Sequence, residues 1–301
     1  MLKRTITGLC ILLVIAGFIA LRLISPLFFD AFVLIIIYAS LIEMFMAYKV
    51  ADKKFLKTPL VIFPVGLWAI FKFTNNPLIW FVVAMLALFI ISMLCELIID
   101  AKNRKIGNAE LNTNEKNVNR PLLSLTKTTL QVAIYPTTLL AFLFGINNLG
   151  LNLGFIGLIM VFAISIFTDV FAYCFGMMLG QKSKGKLAPE ISPKKSIIGA
   201  IFGAIGGLIA GGLGWLFFYY LGWFNAITTL SLTNSIILFA LIGVFGSLLT
   251  QFGDLVASAF KRTVGLKDFG NIFPGHGGFM DRVDGQMFCA VCVYALFILI
   301  I

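Results

Sequence analysis

Long uninterrupted apolar runs set the first limit on how this chain can fold. Of its 301 residues, 60% are hydrophobic and 12% are charged, whereas a soluble domain has about a quarter charged residues. Because the surface-to-volume ratio limits burial, a water-soluble fold of this length cannot hide so much apolar surface. The runs are continuous, which favours helices over the alternating strands of a membrane barrel. The sequence therefore predicts an all-α, polytopic integral membrane protein.

Nine segments reach or approach the ~20 apolar residues that a helix needs to cross a bilayer. We predict about nine transmembrane helices, at 5–25, 28–48, 58–73, 77–100, 122–146, 155–180, 196–221, 234–257 and 285–301. A polar, Asn-rich stretch interrupts the series. We therefore expect an N-terminal part of about four helices at 1–100, a cytoplasmic connector at 101–121 and a C-terminal catalytic part of about five helices at 122–301.

The basic residues indicate the orientation of these helices. With the N-terminus placed in the cytoplasm, only Arg22 and Lys72 of the 23 Lys and Arg residues fall on the outer side. Positively charged loops are typical of the cytoplasmic face, and anionic lipid attracts them there. The net charge of +10 is thus explained without nucleic acid. We expect a multi-pass protein of the inner (plasma) membrane with its chemistry on the cytoplasmic side.

Acidic, basic and glycine residues crowd the segment from Gly253 to Gly285. If the eighth helix continues to Lys261, then Asp254, Ser258 and Lys261 share one helix face, at i, i+4 and i+7. Asp281 and Asp284 follow after a turn that contains PGHGG. Carboxylates suit Mg²⁺, which also keeps substrate phosphates among its ligands. Basic side chains suit the phosphates themselves, and this segment has four, Lys261, Arg262, Lys267 and Arg282.

Further candidate residues lie outside this segment. Asp169 falls within the sixth predicted span, where an ionised carboxylate is costly unless it is paired. We expect it to face the same cavity as Asp254. Lys194 and Lys195 belong to a lysine-rich loop that suits either nucleotide phosphates or anionic lipid. Glu43 lies near the end of the second span, where a functional role and a solvated interfacial role are both open.

The seventh predicted span has a glycine at every fourth position. Such a stripe lets another helix approach closely. It predicts an interface either within the chain or between the two chains of a homodimer, and its members are Gly199, Gly203, Gly207 and Gly211.

The stretch from Ser258 to Asp284 closely resembles the signature of phosphatidate cytidylyltransferases, also called CDP-diacylglycerol synthases. That pattern is S-x-x-K-R-x4-K-D, then P-G-H-G-G, then D-R-x-D, and every element is present at the same spacing in SAFKRTVGLKDFGNIFPGHGGFMDRVD. The stretches DVFAYCFGMMLG and PEISPKKS look like further blocks of the family. The chain departs from the family pattern at Ile198, where an acidic residue is usual, and at Gly285, where Ser is frequent.

The resemblance implies an Mg²⁺-dependent enzyme that transfers CMP from CTP to phosphatidate, giving CDP-diacylglycerol and pyrophosphate. It implies Asp254 and Asp281 as metal ligands with Asp284 in support, and Lys261 as a catalytic residue together with these acids. The substrate-binding residues that we infer are Ser258, Arg262, Lys267, Asp268, His276, Arg282, Asp169, Lys194 and Lys195. The expected partners are CTP, phosphatidate and membrane lipid.

Two other functions compete with this interpretation. A membrane transporter would also have many spans and an intramembrane acid, but it would show a repeat of the acidic motif in the N-terminal half, and none is present. A CTP-dependent lipid kinase would use similar groups to transfer a terminal phosphate. Its products, CDP and a phosphorylated lipid, distinguish it from a cytidylyltransferase.

Overall fold

The structure is a computed structural model that describes residues 2–48, 54–91, 94, 134–179, 185–222, 231–273 and 277–299. The side chains at 2–5, 54–61 and 194 are not described. The predicted connector at 101–121 lies outside these residues, as does most of the first half of the fifth predicted span.

Nine helices and one β-hairpin make up the described residues. The helices are α1 Leu2–Arg22, α2 Pro26–Ala47, α3 Lys54–Phe73, α4 Pro77–Ile91, α5 Tyr135–Asn147, α6 Leu151–Leu179, α7 Ile197–Tyr220, α8 Leu232–Thr263 and α9 Met280–Ile298. The hairpin pairs β1 Lys186–Ala188 with β2 Ser192–Ser196 in antiparallel fashion, between α6 and α7. The hairpin is not predicted from the sequence.

The predicted all-α membrane class is confirmed. Four helices, α2, α6, α7 and α8, are long and apolar enough to cross a bilayer, and three more carry shorter apolar stretches. Large apolar side chains such as Leu213 and Phe217 lie exposed on their outer faces, as expected when lipid is the solvent. The total of nine spans and the side of the N-terminus stay predictions.

The glycine stripe of α7 forms an interface within the chain. Gly199 lies against Ala172 of α6, where an added Cβ would come 2.9 Å from the carbonyl oxygen. Farther along, a Cβ at Gly207 or Gly211 would overlap the backbone of α8. Glycine at these positions therefore lets α7 pack closely between α6 and α8.

A buried arginine joins the ends of three helices. Arg22, at the end of α1, is fully buried. Its guanidinium donates to the Asn147 side chain at 2.5 Å, to the carbonyl of Leu151 at 2.7 Å and to that of Gly150 at 2.8 Å. The Asn147 amide in turn donates to Asp30 of α2 at 2.7 Å. Because each buried polar group has a partner, this network is compatible with an apolar surrounding.

Asp30 extends the network to α3. Its carboxylate accepts from Trp68 Nε1 at 3.1 Å and lies 3.7 Å from the Lys72 amine. The two basic residues that the charge count places on the outer side, Arg22 and Lys72, thus meet at one end of the helix bundle. Glu43 is 13 residues farther along α2 than Asp30, or about 20 Å at 1.5 Å per residue. The two acids of α2 therefore lie at opposite ends of the bundle.

We expect Arg22→Met to lower the thermal stability of the purified protein strongly. The substitution removes four hydrogen bonds that the guanidinium donates to the Asn147 side chain and to three carbonyl oxygens, and such losses cost about 3 kcal/mol or more when buried. Thermal unfolding in detergent micelles measures the effect. The matched control is Lys72→Met, which removes a partly exposed amine from the same cluster and should have a much smaller effect. Equal losses of stability in both variants would contradict the prediction.

Candidate active site

A polar cavity of about 210 Å³ opens where α6, α8 and α9 meet. Its wall contains five acids, two bases and two further residues: Asp169, Asp254, Lys261, Asp268, Asp281, Arg282, Asp284, Gly285 and Gln286. Helix α8 continues to Thr263, as the sequence hypothesis required, so that Asp254 and Lys261 both face the cavity. The structure thus brings together seven of the thirteen site residues that the sequence predicts.

Asp281 holds the loop between α8 and α9. It is buried, and its Oδ1 accepts from Lys261 Nζ at 2.8 Å. Its Oδ2 accepts two backbone N–H groups, from Phe269 at 2.8 Å and from Gly278 at 3.0 Å. Three charge-assisted hydrogen bonds of this kind are strong in a buried setting. Asp281 therefore fixes Lys261 and both ends of the loop that leads into α9.

The hairpin lies over the same site. Lys195, in β2, forms an ion pair with Asp254. Arg262, in the last turn of α8, is exposed. Its Nε–H donates to the carbonyl oxygen of Ile191 in the hairpin turn, with an N···O distance of 3.5 Å. The lysine that the sequence analysis assigns to phosphate or lipid therefore pairs with a cavity acid in this structure.

Two further acids have few partners. Asp284 Oδ1 accepts only the backbone N–H of Gly285, at 2.9 Å, among the described residues. Asp169 accepts no hydrogen bond from the described part of the chain, and it is exposed along the cavity wall. Carboxylates that share one cavity repel each other, so this arrangement favours the binding of a cation.

The remaining predicted residues are distributed differently. Ser258 is half-buried on α8, while Arg262 and Lys267 are exposed, and none of the three lines the cavity. His276 and the side chain of Lys194 lie outside the described residues. Asp268 and Arg282 are exposed at the cavity rim.

Two contacts that the sequence analysis does not foresee shape this site. Glu43 is buried, and its carboxylate accepts the backbone N–H groups of Phe279 and Met280, each at 2.9 Å. Of the two roles that its sequence position leaves open, the solvated one is therefore wrong. The second contact is at Gly285, where a Cβ would come 2.7 Å from the Thr250 side chain. Because α8 and α9 approach so closely here, a side chain at position 285 would press on Thr250. This contact accounts for glycine at a position where the cytidylyltransferase signature often has serine.

The donor set of the cavity suits a hard cation with a polyanion. Carboxylate oxygens are the ligands that Mg²⁺ takes in proteins, and the adjacent amine and guanidinium groups suit phosphate. Among the described residues, no three Asp, Glu, His or Cys side chains converge closely enough to form a ready-made metal centre. Lys195 and Lys261 are the counter-charges of Asp254 and Asp281 here. Asp254 would have to exchange its amine for a metal ion.

Comparison with known proteins points to nucleotidyl transfer. A profile of the cytidylyltransferase family matches residues 2–300. The phosphatidate cytidylyltransferase of Staphylococcus aureus is 43% identical over 127 residues, which is 42% of this chain and 43% of that protein. That of Synechocystis is 36% identical over 149 residues, covering 49% and 45% of the two chains. That of Thermotoga maritima is 32% identical over 167 residues, covering 54% and 56%. The chain therefore spans about half the length of the curated relatives that it matches.

We expect the buried pair of Lys261 and Asp281 to show strong energetic coupling. Lys261→Met leaves Asp281 charged with only two amide donors, and losing one partner of a buried ion pair costs about 3 kcal/mol. Asn at position 281 still accepts from both amides but carries no charge. The double variant Lys261→Met/Asp281→Asn should therefore lose less stability than the sum of the two single variants, by about 1 kcal/mol or more.

Denaturation of the four proteins in detergent micelles measures this coupling. Arg262→Met is the matched control, because Arg262 is the adjacent base but is exposed, and within the described part of the chain it donates hydrogen bonds only to carbonyl oxygens. Strict additivity of the two single substitutions would show that the pair contributes nothing to the folded state.

Proposed function

The chain belongs to the cytidylyltransferase family, whose profile covers nearly its whole length, and from this premise we propose that it is a phosphatidate cytidylyltransferase. In the proposed reaction, a phosphate oxygen of phosphatidate attacks the α-phosphorus of CTP. The new P–O bond gives CDP-diacylglycerol, and the bond to the β-phosphate breaks to release pyrophosphate. The named bacterial relatives support this choice of lipid substrate.

One observation carries the proposal: residues from both ends of the family signature, together with Asp254 just before it, line a single cavity. Asp254 and Lys261 reach it from α8, and Asp281, Arg282 and Asp284 reach it from α9. Both substrates are polyanions that repel each other. A site for their reaction needs positive charge close to the α-phosphate of the transferred CMP group, together with side chains that hold this group in place.

The acids of the cavity are the proposed ligands of Mg²⁺. A carboxylate has about four acceptor positions, and Asp281 uses three of them for Lys261, Phe269 and Gly278. We therefore assign Asp254 and Asp281 as ligands, with Asp284 as a third and Asp169 bordering the ion. When bound, Mg²⁺ would supply positive charge that offsets the negative charge of the substrate phosphates.

The bases of the site are the proposed phosphate contacts. Arg282 lines the cavity and is exposed, so its guanidinium is accessible to a phosphate. Lys195 would exchange Asp254 for a substrate phosphate. Arg262, in the last turn of α8, and Lys267, in the loop after it, are exposed, and they would extend the positive surface toward the triphosphate. Ser258, Asp268, His276 and Lys194 are proposed to complete the substrate pocket.

The reaction requires a site at a membrane surface, because CTP is soluble in water and the acyl chains of phosphatidate stay in the bilayer. The distribution of Lys and Arg supports the cytoplasmic surface of the inner membrane. We propose CTP, phosphatidate and membrane lipid as the partners, without nucleic acid. A homodimer would have to use a surface other than the glycine stripe of α7, which is occupied by α6 and α8.

Purified protein in detergent, given labelled CTP, phosphatidate and Mg²⁺, should form a labelled liponucleotide and pyrophosphate. Chelation of the metal should abolish the reaction, and added Mg²⁺ should restore it. Asp254→Asn and Asp284→Asn should each lower kcat by about 100-fold or more. A neutral amide would bind the cation less well than the carboxylate that it replaces, and the cation would offset the charge of the substrate phosphates.

Asp30→Asn is the control for these variants, since Asp30 is a buried acid at the opposite end of α2 and should leave kcat unchanged. Formation of CDP and a phosphorylated lipid would overturn the proposal in favour of a lipid kinase. Full activity in folded Asp254→Asn and Asp284→Asn proteins would overturn the site assignment.

A further inference from the structure

Helix α9 brings Asp281, Arg282 and Asp284 into the cavity, and its own N-cap residue gives the first turn no side-chain acceptor. The N-cap position is Phe279, whose side chain makes no capping hydrogen bond. The first N–H groups of a helix have no partner inside the helix, so they need an acceptor from elsewhere. Glu43 of α2 supplies it, because its two carboxylate oxygens accept from Phe279 and Met280, each at 2.9 Å.

Two glycines of the loop before α9, Gly270 and Gly278, pack closely against the Glu43 carboxylate. A Cβ added at Gly278 or at Gly270 would overlap the Glu43 carboxylate. Gly278 and Phe269 donate their own N–H groups to Asp281. The loop therefore wraps around two acids, Glu43 from the N-terminal helices and Asp281 from α9 itself, and displacement of either acid would shift the other.

A second contact links the same end of α2 to α8. The Tyr48 hydroxyl, one residue beyond α2, lies 3.2 Å from the Thr263 hydroxyl at the end of α8. The end of α2 thus touches both helices that carry the site residues.

We propose that Glu43 is a positioning residue for the transferase site, holding the first turn of α9 so that Asp281 and Asp284 face Asp254 of α8. This inference rests on the proposed function. The negative charge also suits the positive end of the α9 dipole. A carboxylate whose two oxygens both accept N–H groups cannot be replaced by an amide, because the amide NH₂ would face a backbone N–H. Misplacement of a catalytic group by about 1 Å can cost 100-fold in rate.

The positioning role is tested by comparing the kinetics of Glu43→Gln with those of Asp30→Asn. Both substitutions neutralise a buried acid on the same helix, but Asp30 contacts Trp68, Asn147 and Lys72 at the other end of the bundle. For Glu43→Gln we expect kcat to fall by about 10- to 100-fold and the Mg²⁺ concentration for half-maximal activity to rise several-fold. For Asp30→Asn we expect both values to equal those of the wild type, even where its thermal stability falls.

A binding measurement complements the rates. Electron paramagnetic resonance of Mn²⁺, titrated into each detergent-solubilised protein, reports the metal affinity without turnover. The dissociation constant should rise several-fold in Glu43→Gln and stay unchanged in Asp30→Asn. A wild-type value of kcat and of Mn²⁺ affinity in folded Glu43→Gln overturns the positioning role. Absence of CDP-diacylglycerol formation by the wild-type protein instead overturns the proposed function.

Gly278→Ala tests the same contact from its other side and serves if Glu43→Gln does not fold. The added methyl group overlaps the Glu43 carboxylate but leaves the Gly278 N–H in place. It should lower kcat about 10-fold or more, with a smaller change in the KM for CTP. Gly212→Ala is the matched control, because a Cβ there meets nothing within 4 Å. Equal kinetics in the two alanine variants overturn the inference.

Discussion

The arrangement of this site depends on one buried carboxylate, that of Asp281. It accepts the Lys261 amine from α8 and two backbone N–H groups from the loop between α8 and α9. A buried charge is costly unless it is paired and hydrogen-bonded, so the three donors must stay where they are for the fold to be stable. The same constraint keeps α8, the loop and α9 in a single geometry and places the other acids around one cavity.

The N-terminal helices support this geometry although they carry none of the signature. Helix α2 has one buried acid at each end. Asp30 takes part in the network of Arg22, Asn147 and Lys72, and Glu43 contacts the start of α9. In an apolar surrounding such polar contacts are hard to replace by water. They connect one end of α2 to α3 and α5 and the other end to the start of α9. The N-terminal part thus contacts the helix that carries Asp281 and Asp284.

Close helix packing governs how near the acids can approach one another. A Cβ at Gly253 would overlap the Asp284 carbonyl and the Phe288 ring, and a Cβ at Gly285 would press on Thr250. These two glycines lie beside Asp254 and Asp284, so α8 and α9 pack closely next to the cavity. The close approach of the α8 and α9 backbones thus adds to the loop contacts of Asp281 in holding the site acids near one another.

The amino-acid sequence predicts those features of the protein that a bilayer or a local motif imposes. Its apolar runs predict most of the described helix ends to within about four residues, because lipid requires every backbone group to be satisfied inside a helix. Helix α8 ends six residues later than predicted, and α9 begins five residues earlier. The helical spacing of Asp254 and Lys261 likewise predicts that they share a face. The partner of each charged side chain becomes apparent only in the folded chain. Glu43 contacts Phe279, which is 236 residues away in the sequence. Lys195 pairs with Asp254 from a hairpin that the hydrophobic periodicity does not predict. Such contacts depend on how helices pack, and packing is a property of three-dimensional shape that a one-dimensional pattern does not contain.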